Sequence, residues 1–325
     1  MLGKLKTLVC VTAVAGSLIS SFAAAEKWDM PMAYSNTNYH TQNAKLFAEA
    51  VKVATQGKLD IVVHGGGSLF GGKEIKRAVQ TGQAQIGERL LSAHANENPM
   101  YGFDSVPFLA SSFEDSVKLW NAAKPELEKV LANDNLVLLY SVPWPGQGLY
   151  FKKEVTSKAD TKGTKFRSYN AATATFSDLM GMQPVQVEAA ELSQALATGV
   201  VEAMISSGST GYDKKVWEHL THFYDVNAWL PRNYIFVNKG AWDSLDESTQ
   251  SIVKGLAMLA EQSGTTKAQQ LSDWYIAQLA ANGMVTQAAK GQLLTDLQEI
   301  GKTMSAQWQK DAGDSATKII STYQQ

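Results

Sequence analysis

The sequence predicts an α/β protein of two similar lobes, each built on a mixed, mostly parallel sheet with flanking helices, with a long helix tying the lobes together. Three observations predict it. The run Glu74-Ile75-Lys76-Arg77-Ala78-Val79-Gln80-Thr81-Gly82-Gln83-Ala84-Gln85 returns 117 residues later as Glu191-Leu192-Ser193-Gln194-Ala195-Leu196-Ala197-Thr198-Gly199-Val200-Val201-Glu202. In both copies apolar residues at i, i+3 and i+4 lead into Thr-Gly and then a few residues of strand character, the pattern of a helix closed by glycine and fed into a strand. The chain from Trp28 alternates strand, helix, strand, glycine-rich loop, helix and strand, which calls for helical crossovers on a largely parallel sheet. From Asp246 onward it reads as almost entirely helical. Two lobes that repeat one unit leave a cleft between them, and clefts bind small molecules.

The elements follow in order. Trp28 to Ala33 reads as the first strand and Tyr34 to His40 as a polar loop at its end. Thr41 to Thr55 is an amphipathic helix with Ala44, Phe47, Ala48 and Val51 on one face. Leu59 to His64 is a β-branched strand, followed by the glycine-rich loop Gly65 to Gly72 and the first copy of the repeat. Asp115 to Leu131 is a long helix, and Leu136 to Val142 a fully apolar strand expected inside a sheet. Pro143-Trp144-Pro145-Gly146 breaks regular structure, a place for the chain to leave one lobe for the other. Gly148 to Phe151, Thr164 to Arg167 and Val200 to Ile205 supply strands of the second lobe, with helices at Ala171 to Met180 and Ala190 to Ala197. Trp229-Leu230-Pro231 marks the return, before a strand at Asn233 to Asn238 and helices over Ser248 to Ala281 and Leu293 to Trp308. The expected division is 1–25 as a signal peptide, 26–145 with 233–272 as the first lobe, and 146–232 with 273–325 as the second.

Residues 1–25 carry the three parts of a secretory signal in order: Lys4 and Lys6, the apolar stretch Leu8 to Phe22, and the small-residue site Ala23-Ala24-Ala25. The apolar stretch is too short to span a membrane, so export to the periplasm with cleavage after Ala25 is expected. The only cysteine, Cys10, would leave with this segment, and the mature chain would have no disulfide and no thiolate metal site. Losing Lys4 and Lys6 removes two of 29 basic residues against 31 acids, for a net charge of about −4. That field favours neither nucleic acid nor an anionic membrane.

Motifs for catalysis fail on inspection. Gly67 to Lys73 has the spacing of a phosphate-binding loop, but Glu74 stands where the magnesium-binding hydroxyl belongs. His64-Gly65-Gly66-Gly67 resembles an esterase oxyanion loop, yet no G-x-S-x-G elbow accompanies it, and Ser206-Ser207-Gly208-Ser209 lacks the spacing. His219 and His222 lie at helical spacing without a third ligand, which reads as a solvated helix end. No metal or cofactor is expected, and the chain is not expected to be an enzyme.

Lys165-Phe166-Arg167-Ser168-Tyr169-Asn170-Ala171-Ala172-Thr173 differs in kind. Arg167 ends a strand and Asn170 to Thr173 begins the next helix, the position at which open α/β sheets bind ligands. An arginine there can fork to both oxygens of a carboxylate, each contact contributing about 1.5 to 3 kcal/mol, or it can serve a surface ion pair.

Beyond these residues, the chain from Glu26 resembles the periplasmic solute-binding proteins of TRAP transporters. The resemblance rests on Gln56-Gly57-Lys58-Leu59, Thr81-Gly82, Ser105-Val106-Pro107-Phe108, Gly163-Thr164-Lys165-Phe166-Arg167, Gln194 to Glu202, and Leu245-Asp246-Glu247-Ser248-Thr249-Gln250, in order over the mature chain. It implies a periplasmic binding protein fold closing over a small organic acid, with Arg167 clamping the carboxylate, and delivery to a small and a large membrane permease subunit. Sialic-acid-type members carry a second arginine where this chain has Gly148. Ile205-Ser206-Ser207 replaces a Glu-Asn-Pro run, and Ser168-Tyr169 follows the arginine in place of a small residue and proline. These departures imply a smaller or less polar ligand, a monocarboxylate with an aromatic or apolar body. Arg89 compensates for the missing arginine or anchors its own lobe by an ion pair; strand alternation sets it and Glu88 on opposite faces. The expected ligand-binding residues are Arg167, Arg89, Tyr34, Tyr39, Trp144, Tyr169, Asn170, Ser206, Ser207 and Tyr212, in a monomer. Two other classes compete: a secreted hydrolase using His64 or Ser206 to Ser209, and a binding protein of an ABC importer.

Overall fold

The computed structural model describes residues 25–325, so the signal segment with Cys10 lies outside the described residues. The first part of the chain runs β1 (Glu26–Pro31), α1 (Tyr39–Ala54), β2 (Leu59–His64), α2 (Ile75–Gln80), β3 (Ile86–Leu90), α3 (Phe113–Asn133) and β4 (Leu136–Pro143). It then crosses to β5 (Gln147–Phe151), β6 (Lys165–Ser168), α4 (Ala171–Leu179), β7 (Gln183–Gln186), α5 (Leu192–Ala197), β8 (Ala203–Ser207), α6 (Gly208–Asp213) and β9 (His222–Asp225). The return gives β10 (Arg232–Asn238), α7 (Lys239–Ser244), α8 (Glu247–Ala281), β11 (Val285–Ala288) and α9 (Gly291–Tyr323).

Strand pairing gives sheets of two, three and six strands, and one isolated bridge links the two smaller ones, leaving two layers. In the first, β1 and β2 pair in parallel, a bridge between Met32 and Glu88 joins β1 to β3, and β10 lies antiparallel between β3 and β4. The second has the order β11-β9-β5-β8-β6-β7, with β6 parallel to both its neighbours. The apolar run 136–142, expected inside its sheet, is instead the edge strand β4. The returning β10 takes the interior place, while the apolar character of β4 answers to α3 and α8 packed beside it.

The repeat is a repeat in three dimensions. Thr81 and Thr198 cap α2 and α5 and return their hydroxyls to the carbonyls of Arg77 (2.9 Å) and Gln194 (2.8 Å). Gly82 and Gly199 follow at φ +76° and +69°, a left-handed turn that glycine adopts without steric cost. Ala84 N–H and Val201 N–H then bond back to Ala78 and Ala195, each at 3.2 Å. Each copy ends in an entirely buried strand, β3 or β8.

Polar residues at 38–40 do not make a loop. The Asn38 side chain accepts from His40 N–H at 2.9 Å and caps α1, so Tyr39 and His40 form its first turn and are buried. The two chain crossings lie side by side: Trp144 N–H bonds Pro231 O (2.7 Å), and Gln147 N–H bonds Trp229 O (3.0 Å). Asp246 caps α8 by accepting from Thr249 N–H, and the helix buries Val253, Ala257, Ala260, Gly264 and Ala268 on one stripe before Tyr275 and Leu279. At 35 residues it spans roughly 50 Å. Its first half covers α1 and β4, its second α6 and β11, so it ties the two sheets together.

The last helix departs from the expected division. Asp296 of α9 accepts from Lys158 N–H beside the second sheet. By Trp308, however, whose indole Nε1 donates to Pro99 O, the helix has reached the first lobe, and beyond a break at Gly313 its Ala316 and Ile319 join Leu119, Leu127 and Leu131 there. Assigning all of 273–325 to the second lobe fails because this apolar face is buried against α3. Among the described residues no helix is long and apolar enough to cross a membrane.

Candidate functional site

Between the C-terminal ends of β3, β6 and β8 lies a cavity lined from both lobes: Tyr34, Arg89, Leu90, Trp144 and Pro231 on one side, Gln147, Arg167, Tyr169, Glu188, Ala189, Ser206, Ser207 and Thr210 on the other. It gathers seven of the ten residues expected from sequence.

Arg167 ends β6 with only 4% of its surface exposed. Its Nε donates to Val187 O at 3.0 Å, which fixes the guanidinium plane, and the Tyr169 ring lies 4.8 Å beneath it. No protein acceptor takes its two terminal nitrogens among the described residues, and they line the cavity as a planar fork. Burial pulls its pKa down from the usual arginine value, but a guanidinium stays charged in a protein, so the cavity holds a fixed cation. Tyr169 is held in turn: its hydroxyl donates to Gln147 Oε1 (3.1 Å) and accepts from Trp229 Nε1 (3.3 Å), while Gln147 Nε2 donates to Pro145 O (3.1 Å).

Arg89 enters from the first lobe at the end of β3. Its terminal nitrogens face Glu188 of the second lobe, Nη1 to Oε2 and Nη2 to Oε1 each at 3.4 Å, and among the described residues its buried Nε has no partner. Glu88 does lie on the opposite face, as alternation requires. It is buried against Asn233, whose amide donates to it, with His40 Nδ1 3.6 Å away. Burial pushes Glu88 up to about 8 and lowers His40 well below its ordinary value, so both are uncharged at neutral pH. Asn233 also accepts from Trp144 Nε1 at 2.9 Å, holding that indole 4.7 Å from the Tyr34 ring as the apolar wall of the cavity. Burial pushes the Tyr34 phenol up to about 12.

Three expected site residues stand elsewhere. Tyr39 is turned behind Trp144 and donates to Pro143 O at 2.6 Å, because it belongs to α1. Asn170 caps α4 through Thr173 N–H, and its amide reaches across the cleft to Ser92 Oγ at 2.9 Å. Tyr212 packs with Trp217, Trp274 and Tyr275 in an outer groove. Asn38 on the first lobe likewise reaches Asp213 on the second at 2.7 Å, so the cleft is crossed by polar contacts on both flanks.

Leu90, Gln147, Glu188, Ala189, Thr210 and Pro231 were not legible. Glu188 follows β7, a four-residue strand containing Pro184 that carries no apolar alternation; with β7 recognised beside β6, the rule that ligands sit beyond strand C-termini would have pointed to 187–189. At Gly148 an added Cβ would meet the Phe223 ring at 2.4 Å and Tyr224 O at 2.6 Å, so the strand cannot carry a side chain there. Arg89 of the other lobe brings a second guanidinium to the cavity wall.

The competing motifs have other occupations. His64 pairs with Asp29 at 2.7 Å, and Ser207 caps α6 through Thr210 N–H. The Glu74 carboxylate accepts from Gly71 N–H at 3.0 Å, filling the place of a phosphate. His222 begins β9 and His219 ends a 3-10 turn, so the two do not share a helix as expected.

Two sheets closed over a buried cationic cavity form a cleft suited to holding a small anion. Residues 31–311 match the family of bacterial extracellular solute-binding proteins, family 7, of the DctP type, and the chain belongs to it. It is a TRAP periplasmic solute-binding protein, a receptor and not an enzyme. A marine metagenome TRAP solute-binding protein specific for pyroglutamate is similar at 58% identity and a TM-score of 0.91, covering 92% of this chain and 99% of that one. An extracytoplasmic solute receptor of Bordetella pertussis that binds pyroglutamic acid is similar at 46% identity and a TM-score of 0.90, with 92% and 99% covered. The monocarboxylate 2-oxoacid-binding periplasmic protein of Nostoc is 25% identical over 282 residues, 85% of this chain and 77% of its own length.

Proposed function

We propose that this protein captures pyroglutamate in the periplasm and delivers it to the two membrane subunits of a TRAP permease. The observation that carries the reading is the Arg167 fork: a buried guanidinium, fixed through Nε and stacked on Tyr169, with both terminal nitrogens unclaimed inside the cavity. Pyroglutamate offers what such a cavity recognises, one carboxylate on a compact five-membered lactam. The carboxylate fits the fork, and the ring methylenes fit the wall of Trp144, Tyr34, Leu90 and Pro231. The hydroxyls of Ser206, Ser207 and Thr210 supply donors and acceptors for the lactam amide. Two relatives that bind pyroglutamate, at 58% and 46% identity over nearly the whole chain, support the same ligand. Such a ligand is not aromatic, and its ring is apolar on the methylene side and polar at the amide.

The cross-cleft contacts of Asn170 with Ser92 and Asn38 with Asp213 belong to the closed form, which excludes water from the fork and strengthens it. Isothermal titration calorimetry on protein unfolded and refolded to strip carried-over ligand tests the proposal. Pyroglutamate should bind with a dissociation constant at or below the micromolar range, about −8 kcal/mol. No heat with pyroglutamate, alongside binding of a 2-oxo acid such as pyruvate, would overturn it.

A further inference from the structure

Two arginines face one cavity, yet only one is available to a ligand. Arg89 and Arg167 bring two positive charges, and Glu188 brings one negative charge set against the terminal nitrogens of Arg89. Glu88, the neighbouring acid, points to the other face and is uncharged at neutral pH. The cavity therefore presents one net positive charge, and that charge sits on Arg167. A second observation shows how closely the backbone accommodates this pairing. Gly72, on the glycine-rich loop, lies so near that an added Cβ would stand 2.7 Å from Arg89 Nη1 and 2.9 Å from Glu188 Oε2. Any side chain at 72 would wedge into the pair.

We propose that Glu188, by occupying the Arg89 guanidinium, is the residue that sets the charge the cavity accepts, admitting monocarboxylates and disfavouring dicarboxylates. The proposal rests on the carboxylate-receptor reading given above and names its specificity determinant. A monoanion leaves the cavity neutral. A dianion must place its second carboxylate beside Glu188, where like charges repel in a site sheltered from water. The pair joins the two lobes, so it also stabilises closure, but that contribution is common to every ligand and cancels in a ratio of affinities.

The test compares pyroglutamate with glutarate, a flexible dicarboxylate of similar carbon count, by calorimetry on the full mature chain. Glu188→Gln keeps the size and the hydrogen-bonding oxygen and removes the charge. It should raise the affinity for glutarate and shift the glutarate-to-pyroglutamate ratio by about tenfold or more. Adding Arg89→Gln to that variant removes the freed guanidinium and should bring the ratio back to within about threefold of the wild type. Glutarate affinity unchanged or lowered in Glu188→Gln would overturn the proposal, as would a ratio that stays shifted in the double variant. A wild-type protein that ignores pyroglutamate would sink the ligand assignment alone, since the glutarate gain in Glu188→Gln is read without pyroglutamate. Circular dichroism melts confirm that each variant is folded, and the partly exposed position of Glu188 favours that outcome.

Discussion

The two lobes meet the cavity with the same repeated unit and opposite chemistry. On the first lobe, the copy ending in β3 delivers Arg89, whose terminal nitrogens are already taken by Glu188. Behind it stands a polar cluster, His40, Glu88 and Asn233, that holds Trp144 in place. On the second lobe, the copy ending in β8 delivers Ser206, and the neighbouring β6 delivers Arg167, anchored through one nitrogen to a backbone carbonyl and free at the other two. Burial does not separate these arginines, since both are 4% exposed. What separates them is which of their five donors already have partners. A buried cation is a ligand site when its outward donors are unclaimed, and a structural pair when they are not.

The largest effect should fall on Arg167. Arg167→Lys keeps the charge and loses the planar fork, and should weaken pyroglutamate binding by about 2–4 kcal/mol, roughly thirtyfold to a thousandfold. Arg89→Lys retains a cation opposite Glu188 and should cost less than about tenfold. Equal losses in calorimetry would mean that the two arginines do the same job and would break the contrast.

The next effect is on stability and concerns why the second lobe has a single guanidinium. Gly148→Ala drives a methyl into the Phe223 ring and the Tyr224 carbonyl on β9, and should cost about 1–3 kcal/mol, read as a lower urea midpoint at constant slope. An unchanged midpoint would show that β5 can shift to admit a side chain.

The smallest effect sharpens the account of the polar backing on the first lobe. Glu88 is held by burial at about 8, above its value of 4.5 in an unfolded chain. The folded state thus keeps a proton that the unfolded state releases, and this contribution to stability is full below pH 4.5 and lost as pH rises towards 8. Burial lowers the pKa of His40 and raises those of Tyr34, Tyr39 and Tyr140 near the same carboxyl, so none of them carries a charge where Glu88 titrates near 8. Glu88→Gln should therefore flatten the pH dependence of stability by on the order of 1 kcal/mol per pH unit between those limits, read from melts at a series of pH values. A wild-type profile already flat there would mean that Glu88 ionises inside the fold without cost.

Much of this was legible in particular residues. The Thr-Gly signals at 81–82 and 198–199 mark helix ends because only glycine adopts the turn that follows at no cost, and helix periodicity placed α1, α3, α8 and the start of α9 within a few residues. Position placed Arg167 at a strand end before a helix, where a carboxylate fork and an ion pair were both open, and the family resemblance pointed to the fork. Tyr39, Asn170 and Tyr212 stand outside the cavity, because polarity and aromaticity in a local stretch do not reveal direction; each is committed to a cap, a helix turn or an outer cluster. Local pattern, set by backbone sterics and the period of each element, determined most of the longer elements, their order, the two-lobe repeat and the place of Arg167 at the end of a strand. Which strand takes the centre of the first sheet, where the last helix returns to the first lobe, and that Glu188 meets Arg89 were decided only by the tertiary structure. Those facts join residues as far as 209 positions apart, and no local signal encodes which distant partner claims a donor.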